Sequence, residues 1–351
     1  MACEQLGFGV IGLGVWGETH LKAYRTSPHV RLASVCDKNE ALARERAEAY
    51  EADSCTTDYK EVLARDDIVA VSVVTPDFLH REIAIAAAQA GKHILIEKPM
   101  ATTLEDCRDM IAAARDCGVT LMVDFHNRFN PSFVALKQAI EAGLMGEPQM
   151  MSLRLNDTIY VPTGMLSWGG ESSVLWFLGS HSVDLVRWLF GDEVRRVYCV
   201  SRSRVLKQRG LDTPDFYHTI CELRGGGVAH IENCWILSDS YPTVADLKCE
   251  FVGSEGTALF SPIKSDTVEF YSEHALRPFG ATPGVMFPDT NVVMDIHGKA
   301  TGFGIESILY FADCVANGRT PFITPEDGLE NTKVLLAAIE SAQTGQPVDL
   351  T

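Results

Sequence analysis

The chain has 351 residues, 46% apolar and 22% charged, which is ordinary globular usage at a length that suits two domains better than one. Its formal net charge of -17 argues against nucleic acid and against anionic membrane surfaces, since both reward basic patches. Ten scattered cysteines without close pairing, an N-terminal MACEQLGFGVIGLG without a basic leader, and no unbroken apolar run of spanning length predict a soluble cytoplasmic chain with free thiols and no metal site.

From the N-terminus, short apolar runs alternate with longer amphipathic ones, the rhythm of a parallel sheet with crossover helices. GFGVIGLG reads as a strand, GETHLKAYRTS as a helix, VRLASVCD as a strand and NEALARERAEAY as a helix. IVAVSVVTP, HILIEKP and TLMVDF continue the strands, separated by helices at LHREIAIAAAQAG and TLEDCRDMIAAARDCG that close on Gly91 and Gly118. This predicts a Rossmann-type, doubly wound parallel sheet over residues 1–123.

After Phe125 the rhythm changes to one helix, PSFVALKQAIEAG, and then longer strand-like runs: PQMMSLRLND, VRRVYCVSRSRV, FYHTICELRGGGVAHIENCWIL and DLKCEFVGSEGTALFSP. GGG at 225–227 and GSEGT at 253–257 read as hairpin turns. Residues 124–351 are therefore expected to form an α+β domain with a large, mostly antiparallel, open-faced sheet and helices on one face. The tail TPEDGLENTKVLLAAIESAQTG reads as a helix capped by Thr324, opened by Pro325 and stopped at Gly345.

The motif GLGVWG joins the first strand to the first helix. Gly12 allows the tight turn, Gly14 lets backbone approach a pyrophosphate, Gly17 permits close helix–strand packing, and Leu13, Val15 and Trp16 complete the loop at a helix N-terminus that attracts phosphate. Asp37 stands about 20 residues beyond Gly17 at the end of the second strand, where a carboxylate can accept ribose hydroxyls. That carboxylate favours NAD by repelling a 2'-phosphate, while the adjacent Lys38 leaves NADP open. Thr75, Pro76 and His80, after the third long strand, are placed to line the cofactor cleft; Glu97 and Lys98 end the fourth, with Lys98 placed to reach a reacting centre. Position alone leaves a surface lysine and a solvent-facing histidine equally open. The stretch SSVLWFLGSHSVDLVRWLFG, 172–191, is a helix apolar on most sides that keeps His181, Asp184 and Arg187, so His181 is either a satisfied core histidine or a functional one.

Taken with VTPDFLH, IEKPM, VDFHNRFNP, GSHSVDLVRWLFG and TPEDGL, these motifs resemble the glucose-fructose oxidoreductase, inositol dehydrogenase and rhizopine-catabolism (Gfo/Idh/MocA) oxidoreductases along essentially the whole chain. The resemblance implies NAD or NADP in the first domain, a hydroxyl or ketone of a sugar, inositol or related polyol as substrate, and a homodimer or homotetramer. It makes Lys98 the lysine near the nicotinamide and the reacting oxygen, and His181 the acid/base histidine. One departure stands out: the family's usual carboxylate four residues before the histidine is here Phe177, and the glycine cluster opening the segment reads GGESS. Asp184 lies on a compatible helical face to orient His181 or to pair with Arg187. His126, Asn156, Asp157, Tyr160 and Trp168 are candidate substrate contacts, Trp168 as a stacking plane, with plain sheet or loop roles open for each. Two rivals remain: a non-catalytic NAD-binding sensor or corepressor, and an NAD-dependent lyase or hydrolase running a closed oxidation–reduction cycle.

Overall fold

A computed structural model describes residues 5–260, 268–272, 285–286 and 292–350, so Cys3 lies outside the described residues. The chain divides into two compact units, Met1–Phe129 with Asn291–Thr332, and Asn130–Thr290 with Lys333–Thr351, where the sequence suggested a single cut between 123 and 124.

In the first unit, strands β1 (Leu6–Ile11), β2 (Val30–Cys36), β3 (Cys55–Thr56), β4 (Ile68–Val73), β5 (His93–Ile96) and β6 (Leu121–Val123) form one parallel sheet in the order β3-β2-β1-β4-β5-β6. These are the near-continuous apolar runs of the sequence, as a sheet buried on both faces requires. The short β3 and the helix α3 (Tyr59–Leu63) carry too few apolar residues to announce themselves. The crossovers are α1 (Val15–Thr26), α2 (Glu40–Tyr50), α4 (His80–Gln89) and α5 (Leu104–Cys117), with Asn39 and Thr103 accepting backbone N–H bonds at the N-termini of α2 and α5. Strand order reverses between β1 and β4, the switch point at whose carboxyl edge ligands bind in such sheets.

The boundary lies beyond 123 because a later segment comes back to this sheet. Helix α9 (Phe303–Ala316) buries Ile305, Ile308, Phe311 and Ala312 in the same apolar cluster as Phe8, Val10 and Tyr24. The Phe8 and Phe311 rings meet edge to face at 6.2 Å.

The short β15 (Met294–Ile296) and β16 (Lys299–Thr301) pair as a ribbon of their own, and the second unit holds a nine-stranded sheet of β7 (Pro148–Thr158), β8 (Val194–Arg202), β9 (Phe216–Leu223), β10 (Val228–Leu237), β11 (Ala245–Gly253), β12 (Gly256–Phe260), β13 (Val268–Ser272), β14 (Val285–Met286) and β17 (Val348–Asp349), ordered β14-β13-β12-β11-β7-β10-β9-β8-β17 and antiparallel except for the parallel pair of β7 and β10. β9 (Phe216–Leu223) joins β10 through the GGG turn, and β11 (Ala245–Gly253) joins β12 (Gly256–Phe260) through Ser254 and Glu255, so both hairpins lie where the sequence marked them. Helices α6 (Pro131–Glu141) and α7 (Ser180–Phe190) and the latter part of the tail helix (Pro325–Thr344) share one core with Leu153, Leu155, Ile231, Trp235 and Phe251 of the sheet. Strand residues alternate faces, so the opposite face carries Arg154, Glu232, Lys248 and Glu250 around an open depression of about 380 Å³. Thr324 and Asp327 cap the tail helix reciprocally: the Asp327 N–H donates to Thr324 Oγ1 at 3.2 Å and the Thr324 N–H to Asp327 Oδ2 at 3.0 Å. Among the described residues, no helix is long and apolar enough to cross a membrane, and the nine described cysteines are free.

Candidate active site

The glycine-rich turn is built by exclusion. Gly12 has φ of +96°, and a Cβ there would lie 2.3 Å from the Val74 carbonyl oxygen; a Cβ on Gly17 would lie 2.1 Å from that of Gly12. A Cβ on Gly14, by contrast, would meet nothing within 4 Å. The first two glycines let the turn pack against β4 and itself, and the third leaves open the concavity at the start of α1 that a pyrophosphate needs. Asp37 braces the turn: its Oδ2 accepts the Leu13 N–H and its Oδ1 the Asn39 N–H, each at 2.9 Å. Both oxygens keep a further lone pair for a ribose hydroxyl, while Lys38 beside it is exposed. At the end of β4 the buried Thr75 Oγ1 has no hydrogen-bond partner among the described residues, a polar atom awaiting a ligand or water. Glycines, carboxylate and orphaned hydroxyl together fit a dinucleotide.

His80 and Glu97 serve the interior instead. His80 is buried, with Nδ1 3.0 Å from the Pro99 carbonyl oxygen and Nε2 2.9 Å from that of Thr75, so it staples the segment after β4 to the segment after β5. Glu97 is buried against α1: its Oε1 lies 2.9 Å from His20 Nε2, and its Oε2 accepts the Lys98 N–H at 3.3 Å. His20 Nδ1 is 3.0 Å from Ser72 Oγ, which is 2.6 Å from the Tyr24 hydroxyl. Asp124 completes the cluster. Ser307 of α9 donates to its Oδ1, its carboxyl lies within 4.8 Å of that of Glu97, and its Oδ2 stands 4.0 Å from both His20 Nε2 and His126 Nδ1. Burial raises both acids, Glu97 to about 7 against the pull of Lys98, and lowers His20 to about 4. Sequence reasoning missed His20, Ser72, Asp124 and Ser307. The available signal was a polar residue inside an apolar strand run, Ser72 in IVAVSVV and Asp124 closing LMVD.

Lys98 follows directly, half-buried, with a cis bond to Pro99. Its ammonium helps hold the His126 imidazole neutral, pushed down to about 3 chiefly by burial. The His126 ring packs against Trp16 of the glycine-rich turn, with centroids 4.8 Å apart and the planes tilted by 31°. The first unit thus brings together Trp16, Glu97, Lys98 and His126.

The second unit places His181 in the first turn of α7, 6% exposed, directly after a π-helical turn at Leu175–Gly179. Such turns concentrate at functional sites because they re-aim the following residues. Asn233 of β10 anchors this end of the helix, donating to Ser182 Oγ and to the Leu155 carbonyl, both at 3.0 Å. Phe177 packs among Trp168, 6.3 Å between centroids, and the buried Trp235 at 5.7 Å. Asp184 is buried one turn on, and Arg187 forms a two-bond ion pair at 2.7 Å with Glu193. Asp157 is buried on the sheet face that α7 covers, whereas Asn156 belongs to the other face, donating to Glu232 Oε1 at 2.6 Å. Tyr160 is 49% exposed, its N–H donated to Asp239.

Comparison with known proteins matches residues 6–125 to the GFO_IDH_MocA oxidoreductase family's NAD-binding Rossmann fold and residues 137–350 to its C-terminal alpha/beta domain. The chain is 28% identical to the scyllo-inositol 2-dehydrogenase (NAD(+)) of Bacillus subtilis, covering 99% of this chain and 97% of that protein. It is 29% identical to the levoglucosan dehydrogenase of Pseudarthrobacter phenanthrenivorans, covering 99% and 98%. A levoglucosan dehydrogenase structure in complex with NADH superposes with a TM-score of 0.85 at 25% identity, over 99% of this chain and all of that one (100%). The cradle described above and these matches over nearly every residue place the chain in the Gfo/Idh/MocA oxidoreductase family, as an enzyme with an NAD-binding Rossmann domain.

Proposed function

We propose that the protein is a dehydrogenase that moves a hydride between NAD and a hydroxyl-bearing carbon of a sugar, inositol or related polyol. The observation that carries the reading is the dinucleotide cradle of Gly12, Gly14, Gly17 and Asp37 in the same unit as Lys98 and His126. NAD, when bound, supplies the hydride acceptor. Gly14 and the start of α1 hold its pyrophosphate, and Asp37 accepts from its ribose and repels a 2'-phosphate, which makes NADP the weaker ligand despite the exposed Lys38 next to it.

The Lys98 ammonium stabilises the oxyanion that develops as the hydride leaves, and the His181 imidazole accepts the hydroxyl proton. Asp184 helps keep His181 oriented, while Asp157, Tyr160, His126 and Trp168 contribute polar and stacking contacts to the polyol. The names of the inositol and levoglucosan dehydrogenases support the substrate class. Assembly as a homodimer or homotetramer through the uncovered sheet face belongs to the same reading, since Met150, Tyr198 and Val228 stand exposed on it.

The experiment is a screen of NAD and NADP against pyranoses, polyols and inositols, read as net NADH or NADPH formation. Substrate-dependent accumulation of NADH is expected. Tight NADH binding with no net reduction by any substrate would instead mark a sensor or a closed-cycle enzyme.

A further inference from the structure

The buried cluster behind Lys98 contains two carboxyl groups with oxygens within 4.8 Å of each other, Asp124 fully buried and Glu97 6% exposed, and Asp124 Oδ2 has no other hydrogen-bond partner among the described residues. Two carboxyls this close and this buried cannot both stay ionised. The surrounding donors decide which group carries it. Tyr24 can donate to Ser72, Ser72 to His20 Nδ1, and His20 Nε2–H to Glu97 Oε1, while the Lys98 N–H donates to Glu97 Oε2. Glu97 is therefore an acceptor at both oxygens. Asp124 accepts from Ser307 at Oδ1, which leaves its Oδ2 as the place for the proton.

We propose that Asp124 is a protonated, neutral positioning residue whose Oδ2–H donates to Glu97, holding Glu97 as the carboxylate beside Lys98. The role assigned to Lys98 is that of the proposed function; the location of the proton is independent of it. The groups facing the pair are His20 and Tyr24 from α1, Ser72 from β4, Lys98 after β5, His126 after β6 and Ser307 from α9. Of these, only Lys98 brings a full positive charge, because burial keeps His20 and His126 neutral. Burial, and after it the charge of Glu97, drives Asp124 well above the ordinary carboxylate range; Glu97, drawn down by Lys98, rises less. The donor atoms of His20, Glu97 and Asp124 also lie within 4.8 Å of one another, as metal ligands would. Here, however, His20 and Glu97 already bond to each other at 2.9 Å, a closed contact that a cation would have to open.

Infrared spectroscopy of the full chain tests the proton directly. The native protein should show a protonated-carboxyl C=O band at neutral pH that is lost in Asp124→Asn, whose amide N–H still donates to Glu97. Kinetics give the second readout. Asp124→Asn should keep the native kcat/KM–pH profile, in which Glu97 stays ionised and His181 sets the acid limb, whereas Asp124→Ala removes the donor, raises the pKa of Glu97 and adds its protonation to that of His181, so the acid side steepens and its midpoint moves up by about one pH unit or more. If Asp124→Ala fails to fold, the Asp124→Asn spectrum still decides. No such band in the native protein, a band surviving in Asp124→Asn, or stoichiometric metal bound by the purified native protein and lost in Asp124→Asn would each overturn the proposal. A band lost as expected in a protein that oxidises no polyol would leave the proton assignment standing and remove the dehydrogenase reading.

Discussion

At the scale of single residues, charge placement governs the chemistry. Asp37 spends one lone pair of each oxygen on Leu13 and Asn39 and keeps its charge at the edge of the glycine-rich turn, where the proposed function puts the adenosine ribose. NADH should therefore bind more tightly than NADPH, and Asp37→Ala should narrow the gap by roughly 10-fold or more through loss of acceptor and repulsion together. Fluorescence titration checks it; equal native affinities, unchanged by the substitution, would shift the assignment to NADP through Lys38. Lys98→Met should cut kcat by on the order of 10² to 10³ while the folded protein still binds NADH, since in the proposed function the lost charge acts on the developing oxyanion. Parallel turnover and NADH titration separate this from a cofactor role, in which binding would fail first.

At the scale of elements, the π-helical turn leading into α7 carries Phe177, where the resemblance leads one to expect a carboxylate. The Phe177 ring, held by Trp168 and Trp235 one turn before His181, excludes water without offering a counter-charge. Oxidation needs the neutral imidazole, so kcat/KM should rise with pH through its pKa and then level off. Phe177→Asp should stabilise imidazolium at i,i+4 spacing and move that limb to higher pH, and His181→Asn should remove the limb with most of the rate. Near-native turnover in His181→Asn would make this a structural histidine. What the sequence could show here, and what it could not, follows from range. Gly12, Gly14, Gly17 and Asp37 were legible because a turn and the strand end beside it impose local backbone demands. Gly118 and the capping Thr324 announced helix ends for the same reason. The network of His20, Glu97 and Asp124 was not legible: its members are 77 and 27 residues apart, and only the sheet order β1-β4-β5-β6 makes them neighbours. Which face Asn156 occupies was not legible from hydroxyl-binding chemistry, which carries no strand register, whereas Leu153 and Leu155 alternating with Arg154 and Asn156 fix it once the core is known.

At the scale of the whole molecule, buried titratable groups shape stability. Burial lowers His20, His80 and His126 from the usual 6.5, so the unfolded chain takes up protons that the native state refuses as pH falls below that value, and stability drops. Glu97 and Asp124 work with the opposite sign: raised from 4.5 and 3.8, they hold native-state protons whose stabilisation fades as pH rises through the native values, about 7 for Glu97. His93 and His230 are lowered by burial as well, so five histidines outweigh two carboxyls in the shared window, and above it the raised carboxyls, joined at still higher pH by buried thiols such as Cys199, act alone. The Tm should therefore be highest near neutrality, fall toward about pH 4 and decline gently above about pH 7. Calorimetry across that range checks the sign, and a Tm climbing steadily from pH 7 to pH 4 would contradict it. The return of α9 to the first sheet has a further consequence, in time. A ribosome that has finished residue 129 must add roughly 200 more before residue 332 emerges, about 10 to 40 s at ordinary translation rates. Throughout that interval Phe8 and its neighbours lack Phe311 and Ile308, and an apolar face of the nascent chain stays bare. Residues 1–129 made alone should accordingly be recovered largely as aggregate, and residues 291–332 supplied in trans should raise the soluble fraction.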